Sequence, residues 1–182
     1  MNTVFRSVAV LVLAGFSALG AAAAQQDEPQ SPPASLSISD LNDSEGNLLG
    51  YAMTFLDDDG ETGVAVVARG LAPGSHGVHV HETGNCDPAG EKTFEQAGAH
   101  FNPGHGTHPT HAGDLGNLIA DENGETIFTA FATTFDLSDA GPTLRDADGS
   151  ALVIHADVDD LATDPSGNSG ARIACAVLFP AQ

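Results

Sequence analysis

The stretch HGVHVHETGNC, residues 76–86, holds three of the chain's eight histidines and one of its two cysteines. Its first half alternates with a period of two, which is the pattern of a β-strand. His79 and His81 stand at i and i+2, so both rings project from one face of that strand. Outward from this stretch lie further short β-like runs of the same kind: SLSIS (35–39), YAMTFL (51–56), GVAVVARG (63–70), GNLIA (116–120), ETIFTAFAT (125–133), SALVIHA (150–156) and ARIACAVLF (171–179). Turn clusters such as DDDG, APGS, DENG and DADG separate them. Eight short strands with no 3.6-period segment between them predict an all-β protein, an antiparallel barrel or sandwich.

The chain opens with one Arg, an apolar run over residues 8–19 and small residues up to Ala24. That order reads as a secretory signal peptide, 1–24, rather than a stable membrane span. Residues 25–35, QQDEPQSPPAS, are polar and Pro-rich without periodicity, and read as a flexible leader into one domain, 36–182. An exported chain of this kind is periplasmic or secreted. The sequence carries 25 acidic against five basic residues, a net charge of −20, or −21 once Arg6 leaves with the signal. Nucleic acid is excluded as a partner, because phosphate binding needs clustered Lys and Arg. Two cysteines in an oxidising compartment predict one disulfide, Cys86 to Cys175. Closing a loop of that length, roughly 90 residues, is worth about 4.5 kcal/mol in the chain-entropy account.

Two segments break the hairpin rhythm, residues 83–114 and 156–170. Loops of such length without their own secondary structure tend to carry function. The first contains His100, His105, His108, His111 and Asp114 within fifteen residues, a set of imidazoles with one carboxylate that suits zinc. The second follows His155, at the end of a strand, and contains Asp159. Arg172 precedes Cys175 by three residues. Each piece alone has a plain reading: the H-x-H pair as a solvated strand face, the His-rich tract as incidental metal binding, His155 as a hydrogen-bonded rim residue, Arg172 as a surface charge.

Together the pieces resemble the copper/zinc superoxide dismutase family of exported bacterial type. GVHVHETGNC, GAHFNP, HAGDLGN, LVIHA and GARIACAV follow one another in the family's order from about Leu36 to Leu178. The resemblance implies an eight-stranded Greek-key barrel with two long functional loops. It implies copper bound by His79, His81, His100 and His155, and zinc bound by His100, His108, His111 and Asp114, with His100 bridging the two metals. Arg172 then guides the superoxide substrate, and Asp159 links one copper ligand and one zinc ligand. The implied reaction is dismutation of superoxide to O₂ and H₂O₂ through the Cu(II)/Cu(I) couple, with zinc structural and His100 moving a proton. His76 aligns with a structural histidine, and His105 has no family role. An exported copper- and zinc-binding protein without turnover uses the same ligands; Arg172 argues against it, since a metal store needs no anion guide. A serine hydrolase, suggested by SGNSGA, leaves six aligned histidines without a purpose.

Two departures bear on function. The thirteen residues between Cys86 and His100 are more than in the cytosolic eukaryotic members and closer to the exported bacterial ones, which leaves both monomer and homodimer open. The segment 157–170 contains no Lys, so long-range guidance by that loop is expected to be weak.

Overall fold

The computed structural model describes residues 36–132, 134–137 and 142–182. The expected signal peptide and leader lie outside the described residues. Eight strands form a single antiparallel sheet: β1 Ser37–Asp43, β2 Leu48–Leu56, β3 Thr62–Ala68, β4 Gly74–His81, β5 Asp114–Ala120, β6 Thr126–Ala132, β7 Ser150–His155 and β8 Arg172–Phe179. The order across the sheet is β5-β4-β7-β8-β1-β2-β3-β6, and β5 and β6 approach each other to make a nearly closed barrel. The connections β3 to β4 and β6 to β7 cross between the two halves, which is the Greek-key arrangement. Every strand expected from the sequence is present, with shifted ends. β5 begins at Asp114 because its backbone already pairs with His79 there.

The hairpin turns show why the acidic clusters fold as they do. Asp43 Oδ1 accepts the backbone N–H of Glu45 and Asn47, Asp57 Oδ1 those of Asp59 and Glu61, and Asp121 Oδ1 those of Asn123 and Glu125. In each turn the fourth residue is a glycine with φ between 76° and 83° (Gly46, Gly60, Gly124). One acidic side chain therefore satisfies two donors while glycine takes the left-handed step.

Inside the barrel, Leu41, Val64, Val66, Val78, Val80, Leu118, Leu144, Leu152 and Ile154 are fully or almost fully buried. Each such side chain contributes about 1.5–3 kcal/mol by leaving water. The opposite parity of β4 and β7 faces outward, yet His79, His81, Ala151 and Val153 are also buried. The long loop 82–113 covers them. Phe94, Ala97, Ala151, Val153 and Cys175 pack as a second small core outside the barrel, with Cys86 against it. The Cys86–Cys175 disulfide, Cα atoms 5.6 Å apart, pins the start of that loop to β8.

Candidate metal centre

β4 supplies His79 and His81 by its alternation: Val78 and Val80 enter the core, so the two rings must face the loop. The loop is fastened to the same strand by backbone bonds, Phe101 N–H to Val80 O at 2.8 Å and Val80 N–H to Gly113 O at 2.9 Å. These set His100 beside His81. His155 arrives from the end of β7, where the pairing with β8 shifts register between Ile154 and His155.

Each ring is aimed by a hydrogen bond on its far nitrogen. His79 donates Nε2–H to Asp159 Oδ2 at 2.7 Å, His81 donates Nδ1–H to Gly98 O at 3.0 Å, and His155 donates Nδ1–H to Gly170 O at 3.3 Å. That fixes the lone pair on the other nitrogen. The atoms left without partners are Nδ1 of His79 and Nε2 of His81, His100 and His155, all buried. One donor atom from each of these four residues lies within 4.8 Å of those of the others. Four orphaned imidazole nitrogens in the interior are costly unless something binds them, and an all-nitrogen set suits copper or another borderline transition metal.

A second group of His100, His108, His111 and Asp114 satisfies the same 4.8 Å limit. His100 Nδ1 stands 2.6 Å from Asp114 Oδ1, while Nδ1 of His108 and of His111 each stand 3.2 Å from Asp114 Oδ2. His108 donates Nε2–H to Asp159 Oδ1 at 2.9 Å, leaving its Nδ1 free for a metal. Three imidazoles and one carboxylate fit tetrahedral zinc. His100 belongs to both groups, with Nε2 toward one and Nδ1 toward the other. Asp159, 2% exposed, touches one ring of each.

The electrostatics favour neutral ligands. Burial, reinforced by the neighbouring histidines, holds His79 down to about 2 and His155 down to about 4; a hydrogen bond to the Gly170 carbonyl and the Asp159 charge resist the shift at His155. Burial and then Arg172 push His81 well below its ordinary value. Burial works to raise Asp114, but the hydrogen bond and charge of His100 outweigh it and leave the carboxyl lowered.

Arg172, half-buried at the start of β8, donates Nη1–H to Phe94 O and Nη2–H to Gly98 O, both at 2.6 Å. These carbonyls flank the 3₁₀ turn Glu95–Ala97, and Gly98 takes φ 77° to turn its oxygen inward. A cavity of about 690 Å³ opens onto this point, lined among others by Lys92, Glu95, His100, His155 and Arg172. Burial lowers the guanidinium's affinity for its proton, and Glu95 opposes that effect.

The structure thus gathers all seven sequence-derived ligand residues, Asp159 and Arg172. His76 stands apart from the metal groups, its Nδ1 2.8 Å from His155 O and its Nε2 2.7 Å from Ala72 O. His105 is exposed at the loop tip. Sequence reasoning missed Lys92, the two carbonyls that hold Arg172, and Asn117. The Asn117 side chain accepts Asp159 N–H at 2.7 Å and donates to Asp159 O at 2.9 Å, locking that residue's backbone. Asn117 closes the motif HAGDLGN, which was its only sequence signal.

The fold and site together define a Greek-key barrel with two groups of potential metal ligands that share one histidine. Residues 51–178 match the sequence profile of copper/zinc superoxide dismutase, and the chain belongs to that family. It is 40% identical over 119 residues to a Cu-Zn superoxide dismutase of Caulobacter vibrioides, covering 60% of this chain and 67% of the relative. It is 34% identical to a superoxide dismutase-like protein of Bacillus subtilis, covering 93% and 95% of the two chains. The crystal structure of a SOD-like protein from Bacillus subtilis superposes with a TM-score of 0.71 at 37% identity, covering 78% of this chain and 97% of that one. Among the described residues no helix is long and apolar enough to cross a membrane.

Proposed function

We propose that this protein is an exported superoxide dismutase that converts two superoxide anions and two protons to O₂ and H₂O₂. Copper would be held by His79 Nδ1 and by Nε2 of His81, His100 and His155. Zinc would be held by Nδ1 of His100, His108 and His111 and by Asp114. The observation that carries the reading is the convergence of four orphaned, buried imidazole nitrogens beside a guanidinium at the floor of an open cavity.

When bound, copper would supply a one-electron couple and zinc a fixed positive charge. The chain's own residues do the rest. Arg172 attracts the anion and hydrogen-bonds it, with a planar fork already oriented by two carbonyls. His100 Nε2 is the atom at which a proton would be held whenever that nitrogen is not engaged by a metal, since its Nδ1 is turned to Asp114. Asp159 keeps His79 and His108 in fixed tautomers through the cycle. The signal peptide 1–24 and the disulfide both suit an oxidising compartment outside the cytosol.

Metal content and dismutase activity, measured on one purified sample before and after loading, test this directly. The expected result is about one copper and one zinc per chain, with activity that disappears when copper alone is removed. Arg172→Ala should then lose activity about tenfold or more at unchanged metal content. Full loading without turnover would leave a metal-binding relative and overturn the enzymatic reading.

A further inference from the structure

The segment between β7 and β8 brings two carboxylates against the ligand group His100, His108, His111 and Asp114. Asp159 touches that group through His108 and the other group through His79. Asp164 touches the first group alone. Its Oδ1 accepts the backbone N–H of His108 at 2.8 Å and stands 3.9 Å from Nε2 of His111. The chain then passes so close at Gly167, φ 62°, that a Cβ there would strike the Asp159 carboxylate and the His108 ring.

The two contacts of Asp164 do different things. His111 turns Nδ1 to Asp114 Oδ2 at 3.2 Å. With Nδ1 in use as a ligand atom, the ring's hydrogen is on Nε2, the nitrogen that faces Asp164. A carboxylate opposite that hydrogen raises the basicity of the ligand nitrogen and steadies the ring. At 3.9 Å this is an interaction of charge rather than a hydrogen bond. His108 is the other case, because its ring is already held through Nε2 by Asp159 and Asp164 holds its main chain. One oxygen therefore acts on two ligands of the group, on the backbone of one and on the ring of the other. The turn that presents it is tied together by Asp160, which accepts the N–H groups of Ala162 and Thr163, the Thr163 hydroxyl and the Asn168 amide. Both side-chain contacts of Asp164 among the described residues go instead to the ligand loop.

We propose, on the zinc assignment made above, that Asp164 is a positioning residue that sets zinc affinity independently of copper affinity. Asp159 has no such selectivity, since a change there reaches a ring of each group. The Asp164 side chain is 57% exposed, so the effect of its charge on His111 is open to screening by salt. Its role as acceptor for the His108 N–H is not. The two contributions can therefore be separated by ionic strength.

Competition with a chelator of known strength tests this on the full chain, for each metal in turn while the other occupies its own group. Asp164→Asn keeps an acceptor for the His108 N–H and removes the charge opposite His111. Asp164→Ala removes both. Zinc affinity should fall about threefold in the first and about tenfold or more in the second, with copper affinity unchanged in both. At about 1 M NaCl, where screening acts within roughly 3 Å, the asparagine variant should match the wild type while the alanine variant stays weak. Damage to the loop would not produce that salt dependence. Zinc affinity unchanged in both variants would overturn the proposal, and so would an equal loss of both metals. A wild-type chain that takes up no zinc would overturn the zinc assignment itself, and this proposal with it.

Discussion

At the scale of the residue, one carboxylate carries an unusual share of the order in the centre. Asp159 accepts from His79 through one oxygen and from His108 through the other, and its backbone is held by Asn117. Asp159→Asn keeps the shape but presents an amide N–H₂ to one of two ring N–H groups, so one ring must turn. Affinity for the metal on that side should fall about 10- to 100-fold, with the strands intact, as read by retention against a competing chelator. Asp159 was legible in the sequence as part of a family pattern. The carbonyls of Phe94 and Gly98 were not, because every residue has a carbonyl and only the path of the loop decides where it points. Lys92 escaped for the same reason: a lone lysine reads as a surface charge until the loop folds it onto the cavity wall.

At the scale of the element, alternation in β4 was readable from residues 76–81 alone, since valines and histidines could not share a face. Strand ends were less readable. Asp114 was expected within a loop and instead opens β5, because backbone pairing with His79 decides the boundary. The loop 82–113 holds its form through its contacts with β4 and β8 and through the disulfide, with one short 3₁₀ turn of its own. Replacing Cys86 and Cys175 together by serine should therefore cost about 2–5 kcal/mol of stability. It should also lower activity per bound copper, because both acceptors of Arg172 lie on the released loop. Thermal unfolding and activity normalised to copper content measure the two effects separately.

At the scale of the whole molecule, charge opposes the proposed reaction. A body of net charge −20 repels a small anion at long range, and the attraction of Arg172 and Lys92 operates inside the cavity. Dismutase activity should accordingly stay flat or rise as salt increases from low to physiological strength. A steep fall, measured by initial rates across an ionic-strength series, would contradict this account of the field. The excess of acid was plain from composition. Its placement was not: the structure puts many of these carboxylates in the turns and leaves one sheet face neutral, a distribution hidden in runs such as YAMTFL and TIFTAFA, where the expected polar alternation is missing.

The Gly98 oxygen receives the N–H of a proposed copper ligand, His81, and also the N–H of Arg172, the proposed anion guide. Two properties that an engineer would wish to adjust separately, the ease of electron exchange and the grip on the incoming anion, are thereby wired to one atom. Any change that tilts this peptide alters both settings together, so neither can be optimised alone without rebuilding the turn that carries it.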